Sequence, residues 1–383
     1  MLALGLMSGT SLDGIDAALV AIRPRGQGYT FELLASRTTP FDTGLRERIV
    51  AALPPNEPSP RVVARLDAHV GEAFGSAARA VAGKAAIDYV AGHGLTLYHD
   101  GTAHLSVQIG DPFVIREMVG ATVIADFRRA DCAAGGQGAP LVPYVDALLL
   151  RSEHEETVAV NIGGIANLTL IARSAGEGEV RGWDCGPGNM LMDAFVRERT
   201  GNAERFDPDG RFASAGRVDA ALLQAMLADA YFMRLPPKST GREHFGATFL
   251  AAHRHALDAL SLEDGCATLL ALSAESIARD IDAYAACNAR MVISGGGARN
   301  SALLASLRER LPTHRVITAR EAGIDDDMKE AIAFAILGYE TLRGRPAGLP
   351  SVTGARRASL LGAIVPFDLG TLLQKMETEV QSA

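Results

Sequence analysis

Two apolar runs flank a polar, glycine-rich turn at the start of the chain. The runs are Leu2–Met7 and Ile15–Ile22, and the turn between them reads SGTSLDG. This pattern is typical of a β-hairpin. Glycine lets a backbone approach a ligand closely, and successive N–H groups in such a turn bind anions. Asp13 and Asp16 add carboxylates that could hold a hydrated Mg²⁺. The pattern favours a phosphate-binding loop, with a plain surface hairpin as the alternative.

The same pattern returns further along the chain. Thr157–Ile162 and Ile165–Ile171 are apolar runs on either side of Gly163 and Gly164. A repeat over so long a distance favours a duplicated domain over a short-period solenoid. One hairpin from each domain would then offer groups to a phosphate from each side of a cleft. The alternative is that many α/β proteins contain several glycine hairpins.

Between and after the hairpins, apolar patterns of period two and of helical period alternate, which predicts an α/β fold. The predicted strands are 29–40, 87–91, 104–109, 121–125, a strand ending at 182–184, 291–294 and 315–318. The predicted helices are 43–53, 60–82, one capped by Asp111, 144–151, 189–200, 215–230, 246–259, 264–287, one from Asn300, 327–343 and 367–380. The length predicts two domains. We place them at 1–130, with the C-terminal segment 365–383 packing back on it, and at 131–364.

Composition narrows the function classes. The chain has 383 residues, 48% hydrophobic and 21% charged, as in an ordinary globular protein. A net charge of −8 without a Lys/Arg block argues against nucleic-acid binding. No apolar stretch is long enough for a membrane span, and the N-terminus lacks the basic region of a signal peptide. The four cysteines form no CxxC pair, and no HExxH occurs, so a zinc site is not expected. We therefore expect a cytoplasmic protein with free thiols.

The segment WDCGPGNMLMDAF, residues 183–195, is the strongest candidate for a chemical centre. A strand is expected to end at Asp184, a Gly–Pro–Gly turn to follow, and a helix to begin near Asn189. A carboxylate between a strand end and a helix start is well placed for general-base work or metal binding. The alternative is that Asp184 only caps the turn. Asp193, on the predicted helix, is interpreted as a supporting residue.

Other polar segments are weaker candidates, and each has a structural alternative. Arg128 in DFRRAD could clamp a carboxylate or belong to an interdomain salt-bridge cluster. His93 could face a cleft or be a structural histidine, and Glu330 could point at a cleft or lie on a solvated face. The loop PPKSTGRE could bind a ligand or a partner subunit. The GGG after the strand 291–294 precedes a helix start that favours a phosphate or ribose oxygen.

Nine motifs together resemble one enzyme family. They are GLMSGTSLDGID, QIGDP, DFRRAD, GGQGAPLVP, NIGGIANLT, DCGPGN, PPKSTGRE, SGGGARN and SVTGA, in this order from end to end. The chain closely resembles the anhydro-N-acetylmuramic acid kinases of the actin/hexokinase/Hsp70-like superfamily. The resemblance implies two RNase-H-like α/β domains with ATP in the cleft between them. It also implies a homodimer.

The resemblance implies an unusual kinase reaction in peptidoglycan recycling. The substrate, 1,6-anhydro-N-acetylmuramic acid, has no free O6 hydroxyl because O6 forms the anhydro bridge. Water must attack C1 while O6 leaves and takes the γ-phosphoryl group, giving N-acetylmuramic acid 6-phosphate and ADP. The reaction thus combines hydrolysis of a glycosidic bond with phosphoryl transfer.

Site residues follow from the same resemblance. It implies Asp184 as the general base and makes Arg128, Glu330 and His93 candidates for binding the sugar, Arg128 through the lactyl carboxylate. The residues implied for ATP are the loop Gly9, Thr10, Ser11, Leu12, Asp13, Gly14, Ile15 and Asp16, the hairpin glycines Gly163 and Gly164, and, on the adenosine side, Gly295, Gly296, Gly297 and Asn300. Mg²⁺ is expected with ATP, and no residue is assigned as its ligand.

Three positions depart from the family pattern, and two other functions stay open. Leu95 stands where many relatives have Gln, Cys185 where they have Thr, and Gly348 where they have Asn. One alternative is a kinase of the same superfamily that phosphorylates a free hydroxyl or carboxylate. The other is a non-catalytic ATP-binding switch, against which Asp184 argues.

Overall fold

The computed structural model describes residues 1–9, 12–25, 28–173, 180–242, 244–325 and 328–382. The chain divides into two compact units, Met1–Val145 with Asp327–Ala383, and Asp146–Asp326. These boundaries differ from the expected domain ranges, because both expected boundaries, after residues 130 and 364, lie within the first unit. Among the described residues, no helix has the length and apolar character that crossing a bilayer requires.

The first unit is built on a seven-stranded sheet. Its strands are β1 (Leu2–Ser8), β2 (Ile15–Arg25), β3 (Gly28–Thr39), β4 (Tyr89–Asp100), β5 (Leu105–Ile109), β6 (Thr122–Ala125) and β12 (Ala363–Val365). The order is β12-β6-β4-β1-β2-β3, with β5 paired to β4. β1, β2 and β3 are antiparallel neighbours, whereas β4 runs parallel to β1 and β6 parallel to β4.

Helices complete the first unit. They are α1 (Thr43–Val50), α2 (Pro60–Ala82), α3 (Pro112–Val119), α4 (Phe127–Ala133), α13 (Lys329–Leu342), α14 (Pro350–Thr353) and α15 (Leu369–Gln381), while α5 (Val142–Leu150) spans the unit boundary. α13 packs on β1, β2 and β4, and all residues of this helix except Glu330 are buried. A Cβ at Gly5 of β1 would lie 1.8 Å from the Ala331 carbonyl oxygen. Glycine at this position therefore lets the start of α13 lie against the sheet.

The second unit repeats the arrangement with five strands. They are β7 (Thr157–Ile162), β8 (Ile165–Ile171), β9 (Val180–Pro187), β10 (Arg290–Ser294) and β11 (Arg315–Thr318), in the order β11-β10-β7-β8-β9. Its α-helices are α6 (Met190–Arg199), α7 (Arg211–Ala215), α8 (Ala220–Leu227), α9 (Ala247–Ala252), α10 (Arg254–Asp258), α11 (Leu262–Tyr284) and α12 (Ser301–Arg310). Short 3-10 helices cover Pro208–Gly210, Ala230–Met233 and Gly296–Arg299.

Both units share one topology. In each, three consecutive antiparallel strands are followed by two that continue the sheet in parallel beyond the first. This repeated mixed sheet, with helices between its parallel strands, is the RNase-H-like arrangement expected for the chain. The predicted fold class, α/β with two RNase-H-like domains, and the duplication inferred from the two hairpins are confirmed.

Several element boundaries differ from the prediction. The strand expected at 87–91 continues as β4 to Asp100, because its far part pairs with β5. The helix expected at 215–230 is α8 followed by a 3-10 turn, and that at 246–259 is two short helices. β9 runs on to Pro187 instead of ending at Asp184, because its pairing with β8 continues. α4, α7, α14 and β12 were not predicted.

Candidate active site

The turn of the N-terminal hairpin is shaped by its own polar groups and by the core beneath it. Ser8 Oγ donates to the Gly14 carbonyl over 2.8 Å, and the Leu12 N–H donates to the Gly9 carbonyl over 3.2 Å. Leu12 has φ 57°, which is costly for leucine and persists only where the surroundings enforce it. The side chains of Leu12 and Ile15 are buried in the core. These two predicted loop residues therefore face a ligand only through their backbone.

The two aspartates of this hairpin lie in different surroundings. Asp13 is exposed at the turn. Asp16 on β2 is half-buried and accepts a 2.5 Å hydrogen bond from the Thr38 hydroxyl. A Cβ on the intervening glycine would lie 2.8 Å from a carbonyl oxygen of β3, so packing alone requires glycine there. Thr10 and Ser11, also predicted for the loop, lie outside the described residues.

The second hairpin has a tighter turn that is covered by the start of α6. The carbonyl oxygens of Gly163 and Gly164 accept backbone hydrogen bonds of 2.8–3.2 Å from Gly188, Asn189 and Met190. A Cβ at Gly188 would lie 2.3 Å from the Gly163 carbonyl oxygen, so Gly188 is needed for this packing. A Cβ at Gly163 would meet nothing nearer than 3.7 Å. Neither packing nor a positive φ requires glycine at Gly163, which leaves close approach of a ligand as a physical reason for it.

The triple glycine after β10 meets the same end of the sheet. β10 runs parallel to β7, so the carboxyl ends of both strands lie at one edge. A Cβ at Gly295 would lie 2.6 Å from Asn161 Oδ1, and one at Gly297 would lie 2.5 Å from the Ile162 side chain. Gly296 has ordinary space, 3.5 Å from the nearest atom. The structure therefore brings the two predicted glycine clusters of this unit together, where ligands of parallel sheets commonly bind.

Asn300 has a helix-capping role. Its Oδ1 accepts a 3.0 Å hydrogen bond from the Leu303 N–H at the start of α12, and its side chain is buried. Capping by asparagine satisfies backbone donors that the helix leaves unpaired. Its side-chain oxygen is therefore engaged within the fold, and a contact of Asn300 with adenosine stays a prediction.

The three residues predicted to bind the sugar lie near one another in the first unit. Arg128 Nε donates to His93 Nε2 over 2.8 Å, and Arg128 Nη1 donates to the Gly138 carbonyl over 2.9 Å. Burial lowers the pKa of the Arg128 guanidinium, and the charge of Glu330 opposes this shift. The His93 ring packs on Phe334, one helical turn after Glu330, with ring centroids 4.8 Å apart. Among the described residues, no hydrogen bond involves Arg128 Nη2, which is thus available to an anion.

His93 is neutral in this arrangement. It lies inside β4 and is 2% exposed, and its Nδ1 lies 3.0 Å from the Gly94 carbonyl. Burial, and then the Arg128 charge, hold the pKa of His93 well below its usual value. An imidazole that donates through Nδ1 and accepts through Nε2 is uncharged. His93 therefore orients Arg128, and the expectation that it follows the end of a strand is wrong because β4 runs past it.

Asp131 joins two distant motifs beside Arg128. It is fully buried, and its carboxylate accepts 2.8 Å hydrogen bonds from the Gly138 N–H and the Thr353 hydroxyl. The Gln137 N–H donates to the Thr353 carbonyl over 2.9 Å. These bonds tie the loop GGQGAPLVP to SVTGA. Because Arg128 donates to the same Gly138, Asp131 indirectly fixes its guanidinium.

Asp184 lies on the edge strand of the second sheet. It is half-buried, and its Oδ2 accepts a 2.9 Å hydrogen bond from the Thr240 N–H. Its own N–H donates to the Lys238 carbonyl over 3.0 Å, and its carbonyl accepts 2.8 Å from the Tyr231 hydroxyl. Cys185 forms a β-bulge, because Asp184 and Gly186 pair with consecutive residues of β8. Bulges re-aim side chains and occur often beside active sites.

A buried ion pair lies beneath this carboxylate. Lys238 Nζ donates to Asp280 Oδ1 over 3.0 Å, and both residues are buried. The Trp183 indole N–H donates to Asp280 Oδ2 over 2.9 Å. Burial, and then Asp280, raise the pKa of the Cys185 thiol well above its usual value. Cys185 is thus a neutral thiol.

With this geometry established, comparison with known proteins identifies the family. A sequence model described as anhydro-N-acetylmuramic acid kinase matches residues 1–367. Relatives of that name are 44% identical in Streptomyces coelicolor, over 96% of this chain and 94% of the relative, and 45% identical in Xanthomonas axonopodis pv. citri, over 95% and 97%. The chain belongs to the anhydro-N-acetylmuramic acid kinase family. The prediction of an enzyme, a kinase of this family, is confirmed.

Solved structures of other proteins align with this chain at low similarity. An activator of 2-hydroxyisocaproyl-CoA dehydratase from Clostridium difficile, with bound ADPNP, gives a TM-score of 0.40 at 14% identity over 89% of this chain and 95% of that chain. A ROK family glucokinase from Streptomyces griseus, in complex with glucose and AMPPNP, gives 0.39 at 11% identity over 88% and 99%.

Sequence reasoning did not find the pair Lys238–Asp280. PPKSTGRE was singled out as a loop, but the partner of its lysine was not. The available signal was one aspartate among apolar residues of a helix, since α11 buries Ile277 and Ile281 on either side of Asp280. A lone carboxylate on a buried helix face indicates a buried charged partner. Among the described residues, no group of three or more His, Cys, Asp or Glu side chains could hold a metal ion.

Proposed function

We propose that Asp184 is the general base of this kinase and that it deprotonates the water that attacks C1 of 1,6-anhydro-N-acetylmuramic acid. The observation that carries the proposal is a half-buried carboxylate held on a bulged edge strand, with one oxygen fixed by the Thr240 N–H. A general base must be oriented before its substrate arrives, and this hydrogen bond supplies the orientation. The oriented carboxylate can then accept a proton from the water.

The reaction balances without a general acid. The water oxygen forms a bond to C1 and keeps one hydrogen as the C1 hydroxyl, while its other proton passes to Asp184 and is released to solvent before the next turnover. The C1–O6 bond breaks, and O6 takes the γ-phosphoryl group as the bond to ADP breaks. The products are N-acetylmuramic acid 6-phosphate and ADP. In glycosidases a carboxylic acid protonates the leaving oxygen, whereas here the phosphoryl group captures it.

Sugar recognition is assigned to the first unit. The Arg128 guanidinium, oriented by His93 and by Gly138, would bind the lactyl carboxylate through Nη2. Charge-assisted bonds from arginine to a carboxylate are the strong class of protein hydrogen bonds. Glu330, the one exposed residue of α13, would accept hydrogen bonds from the polar groups of the sugar.

ATP recognition is assigned to the glycine turns. In the first unit, the turn between β1 and β2 would bind phosphate through backbone N–H groups, and in the second, Gly163 permits close approach of a phosphate. We infer that Mg²⁺ accompanies ATP, as in phosphoryl transfer generally, where it neutralises developing charge on the phosphates. Asp13, exposed at the turn, and Asp16 are the carboxylates of the first hairpin that fit such an ion.

Mass spectrometry in ¹⁸O-labelled water tests the reaction. The chain, ATP and 1,6-anhydro-N-acetylmuramic acid are expected to give a sugar 6-phosphate with one heavy oxygen, at C1. Product incubated alone in labelled water gives the background from anomeric exchange. A sugar phosphate without heavy oxygen above that background would contradict water attack. Turnover with an ordinary sugar instead would favour the alternative kinase.

Two further expectations concern location and assembly; the first comes from the composition and the second from the family resemblance. We infer that the chain acts in the cytoplasm and as a homodimer. Multi-angle light scattering at assay concentration is expected to give twice the 40.3 kDa chain mass. A monomer that turns over at the full rate would exclude the dimer as a functional requirement.

A further inference from the structure

The buried ion pair of the second unit takes no part in the bonds that the reaction makes or breaks. The side chains of Lys238 and Asp280 are 2% and 9% exposed, and their charged atoms lie 3.0 Å apart. Each carries further contacts, since Asp280 accepts from the Trp183 indole and Lys238 Nζ lies 5.3 Å from the centre of the Tyr231 ring. Removing two charges from water is costly, and apolar residues of similar size are often at least as stabilising. The pair is therefore poorly explained by stability alone.

The contacts of this pair lead to Asp184 from three directions. The Lys238 carbonyl accepts the Asp184 N–H, and two residues later the Thr240 N–H donates to the Asp184 carboxylate. Trp183, bonded to Asp280, immediately precedes Asp184 in β9. Tyr231, which packs against the lysine ammonium, donates to the Asp184 carbonyl. Each of these groups therefore belongs to the pair, contacts one of its members, or lies two residues from one in the chain.

Because β9 is the edge strand, the sheet holds Asp184 from one side only. β8 is its neighbour on that side, and the loop 236–241 covers the other. The loop has no regular secondary structure. Its lysine is what anchors it to α11, where Asp280 lies.

We propose that Lys238 and Asp280 are positioning residues for the general base: their ion pair anchors the loop 236–241 so that the Thr240 N–H orients the Asp184 carboxylate. The inference rests on the proposed role of Asp184. Within the described part of the chain, the titratable and charged groups near that carboxylate include Lys238 from the loop, Asp280 from α11, Cys185 from β9 and Tyr231 from the 3-10 turn. The thiol and the phenol are neutral, because burial raises the pKa of each.

The opposite charges of Lys238 and Asp280 lie 3.0 Å apart, so their effects on the ionisation of Asp184 largely offset each other. Removing one charge should therefore shift that ionisation in a direction that the remaining charge determines. Asp280→Asn leaves a positive charge near the base, and Lys238→Met leaves a negative one. The first favours ionised Asp184 and the second disfavours it, so the acid limbs of the two kcat profiles against pH should move in opposite directions. We expect shifts of about one pH unit, down for D280N and up for K238M.

Steady-state kinetics of both variants across pH 5–9 tests the proposal. We expect kcat to fall about 10²-fold in each, with KM for ATP unchanged, because a displaced catalytic group commonly has this effect. The double variant K238M/D280N contains no unpaired charge and is expected to fold. Its acid limb should return near that of the wild type, while kcat stays at least tenfold low because the loop has lost its anchor.

Asp207→Asn is the matched control. Asp207 is a buried residue of the same unit whose carboxylate accepts hydrogen bonds from the backbone N–H groups of Phe212 and Ala213. The Asp207→Asn variant should have a lower melting temperature but an unshifted profile of kcat against pH. Folding is checked by near-ultraviolet circular dichroism, and rates are given per active site by ATP-analogue titration.

The outcomes separate the two proposals. Wild-type kcat in the double variant, or acid limbs of the single variants that do not move apart, would assign the pair to stability alone and overturn the inference while Asp184 keeps its role. Full activity of Asp184→Asn would overturn the base assignment and the inference with it.

Discussion

In the first unit, the polar groups of the candidate site lie on an interior strand and on helices packed against it, whereas in the second unit they lie on an edge strand. His93 on β4 has β1 and β6 as sheet neighbours and α13 above it. Among the described strands, Asp184 on β9 has one sheet neighbour, β8; an irregular loop lies on its other side, and Tyr231 of a 3-10 turn donates to its carbonyl. The interior position buries its polar residue among fixed neighbours. The edge position leaves a carboxylate accessible, but a separate device must hold it.

The two hairpins differ in a related way. The turn between β1 and β2 is long and is shaped by Ser8, Gly14 and a leucine with positive φ. The turn between β7 and β8 consists of two glycines whose carbonyls face the start of α6. The two units thus share a topology but have hairpin turns of different conformation. Substitutions in each turn can measure its separate contribution to ATP binding.

The largest expected effect is at the edge strand. Asp184→Asn keeps the hydrogen bond from the Thr240 N–H but cannot take a proton, so kcat should fall about 10²–10⁴-fold with ATP affinity unchanged. Product formation by coupled ADP assay and ATP binding by calorimetry measure the two parts. A rate near that of the wild type would remove Asp184 from the base role.

The next effect is in the first unit. Arg128→Met should raise KM for the anhydro sugar about 10–100-fold, because a charge-assisted contact to the lactyl carboxylate is lost. KM for ATP should not change. The neighbouring Arg129→Met is the matched control, since its side chain is 69% exposed and pairs only with Asp126 among the described residues. If a substrate analogue without the lactyl group shows the same rise, Arg128 does not bind that carboxylate.

A smaller effect distinguishes the two hairpins. Gly163→Ala has room for its methyl group, so the protein should fold normally while KM for ATP rises about tenfold if phosphate approaches this backbone. Gly14→Ala places a methyl group 2.8 Å from a backbone oxygen, so it should lower the melting temperature as well. Thermal scans with and without ATP, and ATP kinetics, measure both. Unchanged ATP kinetics in Gly163→Ala would argue against a phosphate contact there.

The smallest effects are on the free energy of unfolding. Lowering the pH is expected to relieve a destabilising charge in the second unit and to destabilise the first. In the second, burial raises the pKa of Asp193 to about 6 from 3.8. Its folded-state pKa is above the unfolded one, so ionised Asp193 destabilises the fold above pH 6, and this penalty disappears as the pH falls towards 4. Asp193→Asn should therefore stabilise this unit by about 1–2 kcal/mol at pH 8, allowing for partial exposure, and hardly at pH 4.

His93 gives the opposite sign in the first unit. Its pKa is well below the usual 6.5, so the unfolded state binds a proton that the folded state excludes. Stability from this group is complete above about pH 6.5 and decreases as the pH falls. Hydrogen exchange of peptides from each unit between pH 8 and 5 should show the first unit opening more readily in acid. A His93→Gln variant that loses stability in acid as steeply as the wild type would contradict the assignment.

The predicted helices and strands agree best with the structure where the apolar pattern is strong. Both hairpins, α2, α11 and the parallel strands after them lie where expected, because their periodicity and caps are local properties. The helix pattern at 246–259 failed because His253 interrupts it with a non-helical backbone. β12 was missed because three residues gain strand structure only from β6, far away in the chain.

The expected domain ranges show the same limit. α13 was placed in the second domain by its position in the chain, whereas it packs on β1, β2 and β4 of the first unit. Gly5 and Gly338 make that packing possible, since a Cβ at either would meet atoms across the contact. Nothing in the helix pattern itself indicates which sheet it covers.

The sequence by itself determined the duplicated α/β plan, the two glycine turns and the family, because these depend on residues that are close along the chain. Tertiary structure decided which polar groups work together. Arg128 lies beside His93, Asp131 bonds Thr353 over 222 positions, and Lys238 bonds Asp280 over 42. A buried charge needs a partner within a few ångströms, and the chain can supply it from any position that packing brings near.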